Sequence, residues 1–98
     1  MKVSVTLEDI RLGKKRNPCW CPIALAIRRA SGLKSPIDAE PDEAISDDSR
    51  RCEVGGRTVA LRGKVYSLPL EAMFFVAEFD RGNQVSPFEF ELTKEVTR

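Results

Sequence analysis

The chain contains no histidine, and with it goes the side chain most often used near neutral pH as a general base or a metal ligand. No enzymatic activity is expected, and no catalytic residue is assigned. Cysteine is sparse as well: Cys19, Cys21 and Cys52 form an odd set of three that defines no disulfide framework. The Cys19-x-Cys21 spacing is shorter than that of zinc-binding pairs, and a nucleophilic thiol would need Lys14 or Asp9 as its base with no cysteine-enzyme motif around it. Small buried thiols are expected instead, with neither metal nor cofactor. Long apolar runs are also missing. Ile23–Ile27 and Ala72–Ala77 fall far short of the roughly 20 residues that cross a bilayer, so no membrane partner is expected. The first residues lack the apolar core and cleavage site of a secretory signal, which suggests a cytoplasmic protein. Net charge is nearly absent: 16 basic residues against 15 acidic leave +1. That removes the overall field that drives non-specific binding to duplex DNA and confines electrostatic function to local clusters.

What is present is globular. The 98 residues are 42% apolar and 32% charged, a composition that folds as one small domain over residues 1–98. Val3, Val5 and Leu7 alternate with Ser4 and Thr6 as in a half-buried strand. Thr6 followed by Asp9 reads as a helix start, with a short helix from Glu8 to Leu12 stopped by Gly13. Pro22 opens a second helix whose apolar stripe is Ile23, Ala26, Ile27 and Ala30, ending at Gly32. Residues 35–49 form an irregular acidic excursion with two prolines. Three short strands follow, Cys52–Val54, Thr58–Leu61 and Lys64–Tyr66, separated by Gly55-Gly56 and Arg62-Gly63 turns. Pro69 begins a third helix with Leu70, Met73, Phe74 and Ala77 at helical spacing, while Phe75, Val76 and Phe79 widen its apolar surface. Such a helix needs a cover on both sides, either a second subunit or the acidic excursion. Phe88–Leu92 alternates into a last strand. The fold class is α+β in the order β-α-α-βββ-α-β, a single small sheet of about five strands with helices on one face.

The stretch from Lys14 to Pro22 is the most informative. Lys14, Lys15 and Arg16, the amide of Asn17, the indole of Trp20 and a helix N-terminus are phosphate-binding and base-stacking groups. Arg28 and Arg29 extend the positive character along the next helix, and Tyr66 is a second ring able to stack. The plainer reading stands beside this one: solvated cations, a tryptophan plugging the core and a half-buried strand tyrosine.

The motifs Ile-x-x-Gly at 10–13, Cys-Pro-Ile-Ala-Leu-Ala-Ile at 21–27, Leu-Pro at 68–69, Phe-Val-x-x-Phe-Asp at 75–80 and Val-x-Pro-Phe-x-Phe-Glu-Leu at 85–92 resemble a widespread set of short bacteriophage and actinobacterial proteins. That set is similar to the fourth group of phage anti-CBASS sponges, which assemble as tetramers and sequester cyclic dinucleotides such as cyclic GMP-AMP. The resemblance spans all but residues 35–49. It implies a non-catalytic immune-evasion protein acting as a homo-oligomer, with Trp20 and Tyr66 stacking bases and Arg16, Arg28 and Arg29, beside Lys15 and Asn17, meeting phosphates. The alternative is a small phage protein that inhibits a host protein by direct contact.

Overall fold

The structure, a computed structural model, describes residues 1–33 and 52–94; the expected acidic excursion at 35–49 lies outside them. Lys2–Val5 forms strand β1, whose alternation buries Val3 and Val5. Thr6 ends it. Its hydroxyl accepts from the Asp9 N–H at 3.2 Å while the Asp9 carboxylate accepts from the Thr6 N–H at 2.9 Å. This reciprocal capping box starts helix α1, Leu7–Leu12, because it satisfies donors that the first helical turn leaves unpaired. Leu7, expected to continue the inward row of β1, is instead the first residue of α1 and 70% exposed: the cap turns the chain before the alternation can extend.

Helix α2, Pro22–Ala30, lies at the centre. Pro22 occupies its first turn and the Cys21 sulfur accepts from the Ala24 N–H at 3.4 Å. Every residue from Pro22 to Arg28 is buried, because α2 contacts β1, α1 and the sheet and helix described next. The stripe expected from sequence is thus part of a helix enclosed on nearly all sides, and its last member, Ala30, is exposed. Gly13 is where α1 and α2 meet through bare backbone. A Cβ there would sit 2.6 Å from Cδ of Pro22 and 2.8 Å from the Asp9 carbonyl oxygen. Gly13→Ala is therefore expected to cost about 1–3 kcal/mol, read as a lowered denaturation midpoint. Gly56→Ala, where a Cβ meets nothing within 4 Å, serves as the control and does not destabilise.

Strands β2 (Cys52–Val54), β3 (Thr58–Leu61) and β4 (Lys64–Ser67) form the expected antiparallel meander. Arg62 at φ 53° and Gly63 at φ 78° place both central residues of the β3–β4 turn in the left-handed region, the geometry that matches the twist of a tight hairpin. Helix α3 spans Leu70–Asp80, and strands β5 (Phe88–Glu91) and β6 (Thr93–Lys94) follow. A stack of phenylalanines seats α3 on β5: the Phe75 and Phe88 rings are 5.0 Å apart and those of Phe88 and Phe90 5.5 Å.

The expectation of one sheet of about five strands is corrected. Among the described residues there are six strands in two sheets, β1-β5 and β2-β3-β4-β6. The division arises at Leu92. Phe88–Glu91 pairs with β1, Leu92 bonds to Met1, and Thr93–Lys94 pairs with β4, so one extended segment changes partners along its length. A period of two shows that a segment is extended, not which neighbour it hydrogen-bonds. The α+β class holds, with helices packed against sheet, and one hydrophobic cluster joins residues of α2, α3 and both sheets, with Ile10 of α1 packed against it. No helix among the described residues is long and apolar enough to cross a membrane.

The third helix, expected to be covered on both sides, is covered on one. Ala72, Phe75 and Phe79 face the core, whereas Leu70 is 64% and Phe74 66% exposed. Both faces are apolar, so periodicity alone does not choose between them; the phenylalanines at 88 and 90 do.

Candidate binding cleft

The segment between α1 and α2 is closed on itself. The Lys14 N–H donates to the Trp20 carbonyl at 2.8 Å, and the Asn17 side-chain oxygen accepts from the Cys19 and Trp20 N–H groups, both at 3.1 Å. An Asn side chain mimicking a backbone turn in this way fixes a loop that has no ladder of its own. Two bonds anchor it outward: the Val54 N–H donates to the Pro18 carbonyl at 2.8 Å, and the Arg16 N–H to the Asp80 carboxylate at 2.9 Å. The second anchor holds Arg16 at φ 55°, a left-handed conformation uncommon for a residue with a Cβ.

These anchors bring the loop, the β2–β3 turn and the last turns of α3 around one cleft of about 250 Å³, with Arg16 and Asn17 on one wall, Gly55 and Gly56 on the second, and Val76 and Asp80 on the third. Among the described residues the Arg16 guanidinium has no hydrogen bond or ion pair, and its side chain is exposed at the rim. The open space over Gly56 lets a ligand approach the backbone closely.

Of the seven residues singled out from sequence, Arg16 and Asn17 line this cleft, and the other five lie elsewhere. The Lys15 ammonium reaches Gly82, about 3.1 Å from where a Cβ would stand, beside the C-terminal end of α3, where a cation is favoured by the helix dipole. One face of the Trp20 ring carries the Lys14 ammonium, 4.8 Å from its centroid, a cation–π contact. Tyr66 sits half-buried in β4, opposite Val59 and Lys94, against the core. Arg28 is 3% exposed. Arg29 forks onto Asp9, with both nitrogen–oxygen distances 2.7 Å, and also donates to the Ser4 carbonyl.

Gly55, Gly56, Val76 and Asp80 escaped the reading of the sequence. The glycine pair was visible as a turn and Asp80 as a helix end, but their convergence depends on tertiary contacts. Burial drives the Cys52 thiol up to about 12 and that of Cys21 to about 11, so both stay protonated and unreactive. No group of His, Cys, Asp and Glu among the described residues could hold a metal ion. No family model, curated protein or solved structure matches the chain.

Proposed function

We propose that this chain is a non-catalytic binding protein that holds a phosphate-bearing ligand in the cleft between the Lys14–Cys21 loop, the Gly55-Gly56 turn and α3. The observation that carries the reading is the Arg16 guanidinium, exposed at the rim with no partner among the described residues while its backbone is pinned by Asp80. A fixed backbone with a free fork is prepared for a phosphate, and the glycine wall opposite admits a flat group. The ligand class follows from the resemblance to anti-CBASS sponges: a cyclic dinucleotide, sequestered in the host cytoplasm. Such a ligand overfills a cleft of about 250 Å³, since sites for molecules of that kind occupy roughly 300–1,000 Å³. In this reading further copies of the chain complete the wall, as the tetrameric assembly of the sponges it resembles implies.

Calorimetric titration with a panel of cyclic dinucleotides tests this. At least one member should bind at about 1 μM or tighter, with fewer than one ligand per chain. Arg16→Ala should weaken it by about tenfold to a hundredfold, the worth of a charge-assisted hydrogen bond, and Gly56→Val should block it sterically. Absence of heat from the whole panel at about 0.1 mM protein would end the cyclic-dinucleotide reading, and binding untouched by both variants would remove the cleft from it.

A further inference from the structure

We infer that the outer face of α3 is a contact between two copies of this chain, paired antiparallel about a two-fold axis. With 3.6 residues per turn, Leu70, Phe74, Ala77 and Arg81 fall on one line, opposite the buried Ala72, Phe75 and Phe79. Leu70 is 64% and Phe74 66% exposed, adjacent on that line. Leu7 is exposed to a similar degree, but one turn on in α1 stand the half-buried Ile10 and the charged Arg11, and an isolated exposed apolar side chain needs no explanation.

The line is complementary to its own reverse, which is why the occupant is a second copy. Antiparallel alignment sets Phe74 against Ala77 of the other copy, a large side chain over a small one, and does so twice by symmetry. At each end Leu70 meets the aliphatic stem of Arg81 of the other copy. Charges agree with this register. The first turn of α3 carries Glu71 and its C-terminal cap is Arg81, so the reversed helix brings Glu71 of one copy beside Arg81 of the other. Arg81 already lies 3.8 Å from Glu78 within its own chain, on an exposed surface, and pairing places its guanidinium between two carboxylates. The opposed helix dipoles favour the same orientation. Covering these side chains removes about 300–400 Å² per copy, less than the roughly 800 Å² per partner of a standard interface, so the dimer is concentration-dependent. The pairing needs no ligand and does not rest on the proposed cargo, so it and the titration can fail separately.

Sedimentation equilibrium of the full chain without nucleotide, from about 5 μM to 1 mM, decides it. The apparent mass should rise from 11.0 kDa towards twice that value. Phe74→Asp should hold the chain at monomer mass while its thermal unfolding stays cooperative, since the side chain is already mostly in solvent. Glu71→Arg and Arg81→Glu should each weaken association about tenfold or more, and the double variant should restore it. A chain that remains monomeric at the highest concentration overturns the inference, as does association that survives Phe74→Asp. Failure of the charge exchange to restore pairing overturns the antiparallel register.

Discussion

Arg29→Ala should destabilise the protein by about 3 kcal/mol, more than Asp9→Ala, although the Arg29 side chain is half in solvent and that of Asp9 only 4% exposed. The asymmetry follows from what each change leaves behind. Without Arg29, a carboxylate remains sealed under the α1 cap with one backbone donor, Thr6, and no counter-charge. Without Asp9, the exposed guanidinium regains water, and the loss is the cap and the fork, about 2 kcal/mol. The double variant should cost little more than Asp9→Ala, because the two residues act as one unit. Arg29→Lys should recover little, since a point charge cannot fork onto both carboxylate oxygens and reach the Ser4 carbonyl. Urea unfolding of the four proteins at neutral pH measures these differences.

The same pair sets a pH dependence. Burial alone would raise the Asp9 pKa, but hydrogen bonds from Arg29 and Thr6 and the charge of Arg29 outweigh it and hold the carboxyl below its ordinary value. A depressed carboxylate contributes stability that is present above the unfolded-state value near 3.9 and lost as pH falls through the lower folded-state value. The wild type should therefore lose this contribution only in strongly acidic solution. In Arg29→Ala the buried carboxyl protonates more readily, so the deficit relative to wild type should narrow on acidification. A deficit that stayed constant from neutral pH to about pH 3 would show that the charge of Asp9 is not what Arg29 compensates.

Ile27→Ala should be the most damaging single change, about 3–4 kcal/mol. Ile27 is 0% exposed, in a helix buried from Pro22 to Arg28, so its neighbours have little freedom to close the cavity. Against a total of roughly 5–15 kcal/mol for a domain of this size, that is a large share of the stability, visible as a fallen denaturation midpoint with an unchanged slope. Leu70→Ala, in a helix just as apolar, should cost the monomer less than about 0.5 kcal/mol. Equal losses at the two positions would mean that α3 does not present Leu70 to solvent.

That contrast shows where the sequence is legible. The Thr6–Asp9 cap, the Pro22 entry, the Gly32 stop and the Arg62-Gly63 turn each follow from the local chemistry of one to four residues, and each is found where the pattern puts it. Facing is harder. Helix α3 is apolar on two sides, and only Phe88 and Phe90, far along the chain, select the Ala72–Phe75–Phe79 side. The candidate site follows the same rule. Arg16 and Asn17 stand out by residue type within one loop, but their companions Gly55, Gly56, Val76 and Asp80 join them through single hydrogen bonds, from the Val54 N–H to the Pro18 carbonyl and from the Arg16 N–H to the Asp80 carboxylate. Arg29 shows the converse: a cation chosen for phosphate is engaged by a carboxylate twenty residues earlier, because closing the β1–α1 corner against α2 brings the two together.

The partner change at Leu92 bears on how the chain folds in time. Its carbonyl accepts from the Met1 ammonium across a separation of 91 residues, at 2.9 Å, and β5, which it directly follows, is the only strand among the described residues paired with β1. Strand β1 therefore waits for a segment far along the chain before it has its partner, and the edge of β4 waits for the same segment. Closure over such a distance is entropically slow. The seven-residue stretch from Phe88 to Lys94 acts as a clasp that closes both sheets at once.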